Sequence, residues 1–257
     1  MNPVLKRVIT ALVTASAVVC ALLFLPLSFV LPAMLLLVAL VHLEFCQIIS
    51  KKHETMTATG IAAGMAYLVA VVYMNKSFAA AFPPIAFFVF LAALFSRPAV
   101  SLNSLATTVL GILYIPVMLS FFLLIPVQFG MKTLLYIIAI IKISDMGGFA
   151  FGKAFGKHKM CPSISPKKSW EGLLGSIFAS CLISAAFIPL TSFSVAKALI
   201  FGVAAAVVGT LGDLVESRFK REAEVKDSAT FMPAGMGGFL DMFDSLIFAP
   251  AIFYQFL

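Results

Sequence analysis

Asp213, Asp227, Asp241 and Asp244 are carboxylates in the C-terminal part of a chain that is otherwise sparsely charged. The first two belong to "GDLVESRFKREAEVKD" (212–227), which also carries Ser217, Lys220, Arg221 and Lys226; the other two belong to "GGFLDMFDS" (237–245). Lys167 and Lys168 stand in "SPKKSWEG" (165–172), and Asp145 follows Lys142 by three residues in "KISDMGG". Hard cations such as Mg²⁺ take oxygen ligands, usually a few carboxylates together with substrate phosphates. Lysines and arginines beside such a site neutralise phosphate charge. The combined chemistry is phosphoryl or nucleotidyl transfer, catalysed by positioning and charge neutralisation. The chain has no GxxxxGK[ST] loop, no GxSxG elbow and no HExxH pair. Asp145 beside Lys142 also suits a proton- or ion-coupled transporter, so spacing alone leaves that class open.

Spacing predicts how these groups are presented. Asp213, Glu216, Ser217, Lys220, Glu224 and Asp227 recur at helical intervals and share one face of a helix continued past the bilayer. Glu216 and Lys220 form an i,i+4 pair, and Glu222 and Glu224 read as a solvated, salt-bridged helix end. Acids near a helix C-terminus oppose its macrodipole, so Asp213 and Glu216 stand there at some cost, and Asp213 and Asp227 read as functional. Asp241 and Asp244, at i,i+3, lie on one side of the final apolar run, where acids also suit a helix N-terminus. Pro166 predicts a helix start with Lys167 and Lys168 in its first turn, a place where an anion offsets their charge. Gly147, Gly148, Gly152 and Gly156 permit close backbone approach or simple helix packing. His42 and Glu44 read as a satisfied polar pair within a span, and His158 as part of a solvated face.

The elements that must position these residues are membrane helices. Of 257 residues, 62% are hydrophobic and 11% charged, and the mean hydropathy is +1.09. Soluble domains average about 25% charged residues, so the chain is an integral membrane protein. Its +7 net charge fits cytoplasmic loops and anionic headgroups, and no nucleic-acid partner is expected. Cys20, Cys46, Cys161 and Cys181 show no CxxC spacing. Apolar runs at 8–25, 28–49, 56–74, 78–96, 101–124, 132–151, 170–190, 194–214 and 239–257 predict an all-α polytopic fold of about nine transmembrane helices. With a cytoplasmic N-terminus, the inner segments hold Lys6, Arg7, Lys51, Lys52, Arg97, Lys153, Lys157, Lys159, Lys167, Lys168, Arg218, Lys220, Arg221 and Lys226, fourteen of the 18 basic residues. That bias predicts the orientation and puts the charged loops on the cytoplasmic face. The chain reads as a single domain, 1–257, with 1–130 as a helical scaffold or homodimer surface and 131–257 as catalytic helices and loops. The first run reads as an uncleaved helix.

The motifs carry a resemblance. "SRFKREAEVKD", "GGFLDMFD", "SDMGGFAFGK" and "SPKKSWEG" together resemble the phosphatidate cytidylyltransferase family, also called CDP-diacylglycerol synthases. The C-terminal signature is met by Ser217, Phe219, Lys220, Arg221, Lys226, Asp227, Gly237, Gly238, Asp241 and Asp244. The upstream pattern is met by Asp145, Gly147, Gly152, Lys153, Ser165, Pro166, Lys167, Lys168, Trp170, Glu171 and Gly172. Met146, Met236 and Met242 stand where the family pattern has threonine, histidine and arginine. The resemblance covers about residues 142–257. It implies transfer of the cytidylyl group of CTP to phosphatidic acid, giving CDP-diacylglycerol and pyrophosphate, with Mg²⁺ as cofactor and a second cation left open. A bacterial inner membrane is the setting expected of so compact a chain. On this reading Asp213, Asp241 and Asp244 hold metal, with Lys220 and Asp227 also catalytic. Lys167, Lys168, Ser217, Arg221, Lys226 and Asp145 meet the substrates. A CTP-dependent polyprenol kinase, a transporter and a non-catalytic scaffold are the competing readings.

Overall fold

The computed structural model describes residues 24–74, 78–96, 99–191, 193–225 and 238–257. The first half supplies α1 (Leu27–Ile49), α2 (Thr57–Val72), α3 (Phe78–Phe95), α4 (Leu102–Ile112) and α5 (Met118–Phe129). A π-helical turn at Leu113–Val117, containing Pro116, joins α4 and α5 into one rod. The second half supplies α6 (Met131–Phe155), a hairpin of β1 (Lys159–Cys161) and β2 (Ser165–Ser169), α7 (Trp170–Ala186), α8 (Ile188–Thr191), α9 (Val195–Glu222), α10 (Phe239–Phe243) and α11 (Ala249–Tyr254). Leu27–Ile49, Leu102–Phe129, Met131–Phe155 and Val195–Glu222 are long and apolar enough to cross a membrane; Thr57–Val72, Ala80–Phe95 and Trp170–Ala186 are apolar but shorter. The protein is thus an all-helical integral membrane protein with one small hairpin.

Local sequence sets the boundaries. Ser101, Ser169 and Ser194 each accept a hydrogen bond from the backbone N–H three residues on, capping α4, α7 and α9. Gly130, at φ 85°, turns α5 directly into α6, a conformation that costs glycine nothing. The expected first span, 8–25, lies almost wholly outside the described residues. The expected last span, 239–257, is not a single helix: α10 ends at Phe243, and Pro250 begins α11 in its first turn. A proline fits the first turn of a helix but has no N–H to continue one.

Two further expectations are corrected. The helix carrying Asp213 stops at Glu222, and Glu224 adopts φ 57°, so Glu224 leaves the shared face and pairs with Lys52 at 3.3 Å. Lys167 and Lys168 are not in a helix's first turn; they lie on β2, one element before α7. The residue before a proline is driven toward extended conformations, and pairing with β1 holds Ser165–Ser169 there.

The core gathers Phe45, Leu119, Leu123, Ile137, Ile140 and Ile141, all buried. Around it α6, α7 and α9 form a tight group. A Cβ on Gly147 would lie 2.5 Å from the Ala179 methyl and 2.6 Å from the Gly175 carbonyl oxygen, so α6 and α7 meet backbone to backbone. Across the α7–α9 contact, Ser180 Oγ donates to Gly202 O at 2.8 Å and Ser184 Oγ to Ala198 O at 2.6 Å. Small residues and hydroxyl bonds of this kind are how helices associate where water provides no hydrophobic drive. At one end of the bundle Lys52 reaches Glu222 and Glu224, and Arg221 Nε donates to Ile164 O of the hairpin at 3.2 Å. The charged loops therefore meet at one end.

Candidate active site

A cavity of about 460 Å³ opens between α6, β2, α7, α9 and the 241–244 segment. Its charged lining is Lys142, Asp145, Lys167, Lys168, Asp213, Asp241 and Asp244. Helix α6 brings Lys142 and Asp145, β2 brings the two adjacent lysines, and α9 brings Asp213. The short α10 and the turn after it bring Asp241 and Asp244.

The deepest feature is a carboxylate cluster. One oxygen each from Asp213, Glu216 and Asp244 lies within 4.8 Å of the others. Asp244 comes this close because Gly212 has no side chain: a Cβ there would sit 2.6 Å from Asp244 O. Glu216 is completely buried, and its Oε2 lies 2.7 Å from Lys220 Nζ. Its Oε1 has no hydrogen-bond partner among the described residues. Lys220 Nζ also donates to Asp241 Oδ1 at 2.7 Å, while Asp241 Oδ2 accepts from Gly238 N at 2.8 Å. Lys220 thereby bridges α9 to α10 through two carboxylates.

The opposite wall is basic. Lys168 Nζ lies 2.8 Å from Asp213 Oδ2 and donates to Thr210 O at 2.7 Å. Ser217 Oγ donates to the other Asp213 oxygen at 3.1 Å. Lys142 Nζ donates to Met242 O at 3.0 Å and to Ser245 Oγ at 3.2 Å, and it stands 3.7 Å from Asp145 Oδ2. Ser245 Oγ completes that set by donating to Asp145 Oδ2 at 2.8 Å. The backbone N–H of Ser245 donates to Asp244 Oδ1. Lys167 is exposed, and its side chain makes no ion pair or hydrogen bond among the described residues.

Close carboxylates in a sparsely solvated site repel one another, and Lys168 and Lys220 offset only part of that charge. A hard cation would meet the remaining demand: every donor is oxygen, and Glu216 Oε1, without a hydrogen-bond partner among the described residues, is an atom that a cation would satisfy. The residues present therefore fit a divalent cation held by Asp213, Glu216 and Asp244.

Of the residues singled out in the sequence, Asp145, Lys167, Lys168, Asp213, Asp241 and Asp244 line the cavity, and Ser217 and Lys220 support it. Arg221 is elsewhere, its guanidinium bonded to the carbonyls of Ile164 and Val225. Lys226 and Asp227 lie outside the described residues. The expected Glu216–Lys220 pair is present, as are the ion pairs of Glu222 and Glu224. What sequence reasoning misses is the membership of Glu216 in the cluster. The available signal is its place three residues after Asp213, one helical turn along the same face. His42 and Glu44 do not pair with each other: Glu44 Oε2 accepts from Leu240 N at 2.9 Å, and His42 is buried against α2 and α4 near Gly64 and Gly111. His158 is exposed, as expected, but its Nδ1 lies 2.6 Å from Glu171 Oε1.

A charged cavity built from the ends of apolar helices marks the class of this fold, an integral membrane protein. Residues 5–257 match the cytidylyltransferase family, and the chain belongs to it. A phosphatidate cytidylyltransferase of Staphylococcus aureus is 43% identical over 121 residues, covering 46% of this chain and 46% of that protein. The protein of the same name from Haemophilus influenzae is 39% identical over 133 residues, 49% of this chain and 46% of its own length. A Staphylococcus saprophyticus relative so named is 40% identical over 121 residues. Each aligned segment spans about half the length of the curated relatives.

Proposed function

We propose that this chain transfers the cytidylyl group of CTP to phosphatidic acid, forming CDP-diacylglycerol and pyrophosphate for phospholipid synthesis. The observation that carries the reading is the meeting of a three-carboxylate cluster with Lys168, beside Lys167 and Lys142, in one cavity. Such a set has carboxylates for a cation and ammonium groups for phosphates. Family membership and the names of the relatives support the same reading.

In this reaction a phosphate oxygen of the lipid attacks the α-phosphorus of CTP. A new P–O bond forms as the bond to the β-phosphate breaks, and its electron pair leaves with pyrophosphate. The attacking phosphate is already anionic near neutral pH, so no strong general base is required. Asp213, Glu216 and Asp244 would hold Mg²⁺, which when bound supplies neutralisation of triphosphate charge. Lys167, free of partners among the described residues, is the first group that an incoming phosphate meets. Lys168 exchanges its contact with Asp213 for a phosphate oxygen as substrate enters. Lys142 and Asp145, tied together through Ser245, fix the wall of α6 against the 242–245 turn. Asp241 and Lys220 hold that turn against α9. On the strength of the family motif, Lys226 and Arg221 would meet the substrates and Asp227 would take part in catalysis, and a second cation would add to the neutralisation of triphosphate charge. The cavity faces the cytoplasm of a bacterial inner membrane, on the strength of the basic bias of the inner loops. Nine spans and a homodimer remain part of the proposal.

The test is Mg²⁺-dependent incorporation of label from α-³²P-CTP into lipid by purified protein supplied with phosphatidic acid in micelles. Lipid-borne α-label is the expected result. Label appearing in lipid only from the γ-position would replace the reading with a CTP-dependent kinase. No label from either position, with a control enzyme active in the same micelles, would overturn transfer altogether.

A further inference from the structure

Glu44 lies deep in α1, in the half of the chain assigned to scaffold, yet it is completely buried and its Oε2 accepts a hydrogen bond from Leu240 N at 2.9 Å. The two residues are 196 positions apart. Leu240 is the second residue of α10, the helix that carries Asp241 and ends at Phe243, just before Asp244. The first N–H groups of any helix have no partner within it, and the usual acceptor is the side chain of the preceding cap residue. In α10 that cap residue is Gly238, which has no side chain. Asp241 reaches back to Gly238 N at 2.8 Å and satisfies one donor. The donor of Leu240 is left for a group from outside the helix, and Glu44 provides it.

We infer that Glu44 is a positioning residue for the cation site: it caps α10 from α1 and so fixes where Asp241 and Asp244 stand relative to α9. The inference rests on the reaction proposed above. A helix of five residues has almost no stability of its own, because helix nucleation is unfavourable and little propagation follows. Its placement depends on external bonds at its start. Among the described residues the bonds at its start include Glu44 to Leu240 N and Lys220 to Asp241, which come from different halves of the chain, and Lys142 holds Met242 O farther along. If the first is removed, the start of α10 is no longer fixed, while Lys220 keeps Asp241 and Lys142 keeps Met242 O. The helix then frays from Gly238, and the spacing of Asp244 from Asp213 and Glu216 loosens with it. Glu44 touches no substrate on this account; it acts through α10.

The experiment compares wild type, Glu44→Gln and Glu44→Ala in the α-³²P-CTP assay across a Mg²⁺ titration, with deuterium uptake of the 238–244 peptide measured without Mg²⁺ or substrate. Glutamine keeps an acceptor oxygen at the same reach, whereas alanine does not. The expected result for Glu44→Ala is a Mg²⁺ concentration for half-maximal rate raised on the order of tenfold, the range of a lost supporting contact to a metal ligand. Faster deuterium uptake confined to 238–244 accompanies it. Glu44→Gln restores both to near wild type. An alanine variant with unchanged Mg²⁺ dependence and unchanged uptake overturns the inference. So does general acceleration of uptake across α1 and α2, which would mark Glu44 as a packing residue. Absence of lipid label in the wild type is a failure of the proposed reaction instead, and the uptake comparison still decides the role of Glu44.

Discussion

Two cavities lie toward opposite ends of the same helices. The one at the charged end measures about 460 Å³ and is bounded by Lys142, Asp145, Lys168 and Asp213. The other, about 600 Å³, is bounded by Phe129, Leu135, Phe187, Leu190 and Phe193, with Lys132 as its charged member. The larger space is the less equipped one. In a lipid-facing protein an apolar hollow is cheap, since acyl chains fill it, whereas carboxylates and ammonium groups at membrane depth are expensive and persist where they act. Charge marks the site in this fold, and volume does not.

The sharpest way to break the comparison is at Asp213. Asp213→Ala removes both a cluster carboxylate and the partner of Lys168, and the expected loss of cytidylyl transfer is on the order of 10³-fold, as for removal of a preorganised charge-stabilising group. Asp244→Ala is expected to match it; initial rates at saturating CTP are the measurement. Lys168→Ala leaves Asp213 without its counter-charge and takes away a phosphate contact. A fall in kcat/KM on the order of 10²-fold is expected, weaker because Lys167 and Lys142 remain. Gly175→Leu tests the α6–α7 contact: an added Cβ would already meet the Phe151 side chain and lie 2.8 Å from Gly147 O. Overpacking of this kind costs about 1–3 kcal/mol, so a lowered thermal midpoint is expected, read in detergent by fluorescence. The smallest effect belongs to the other cavity. Leu190→Ala is expected to keep transfer within about twofold of wild type, as surface-type substitutions away from special features do. A loss there as large as that at Lys168 would show that the two cavities work together.

Much of the fold is legible in the amino-acid sequence. A helix reads from composition when its apolar run is long, so α1 and α6 fall within a few residues of the runs at 28–49 and 132–151, and α9 starts one residue into the run at 194–214 and continues past it to Glu222. The C-terminal run misleads because hydropathy registers apolar character and not continuity; Pro250 and the turn at 244–248 break it. The strand at Ser165–Ser169 is hidden because its sequence also reads as a helix start. What decides against that is pairing with β1, a contact invisible in a local window. Cavity residues such as Asp213 and Lys168 stand out because charge is scarce here. Glu216 does not, since a glutamate four residues before a lysine already has a sufficient explanation. Glu44 reads as the partner of His42 because they are neighbours in sequence, but two residues apart on a helix point to different sides. Its partner lies at the far end of the chain.

The seam between α6 and α7 has one more consequence. Gly147 and Gly175 bring the two backbones so close that the helices cannot slide or spread without opening a void along the contact. They form a single stiff plate, and the cavity's lining from Lys142 to Gly152 and from Gly172 to Ser176 is carried on it. Any breathing that opens the cavity has to come from the other borders, the hairpin and the short α10. The plate then acts as a fixed gauge: substrates are measured against an unyielding side, and the adjustable parts of the protein are the light ones.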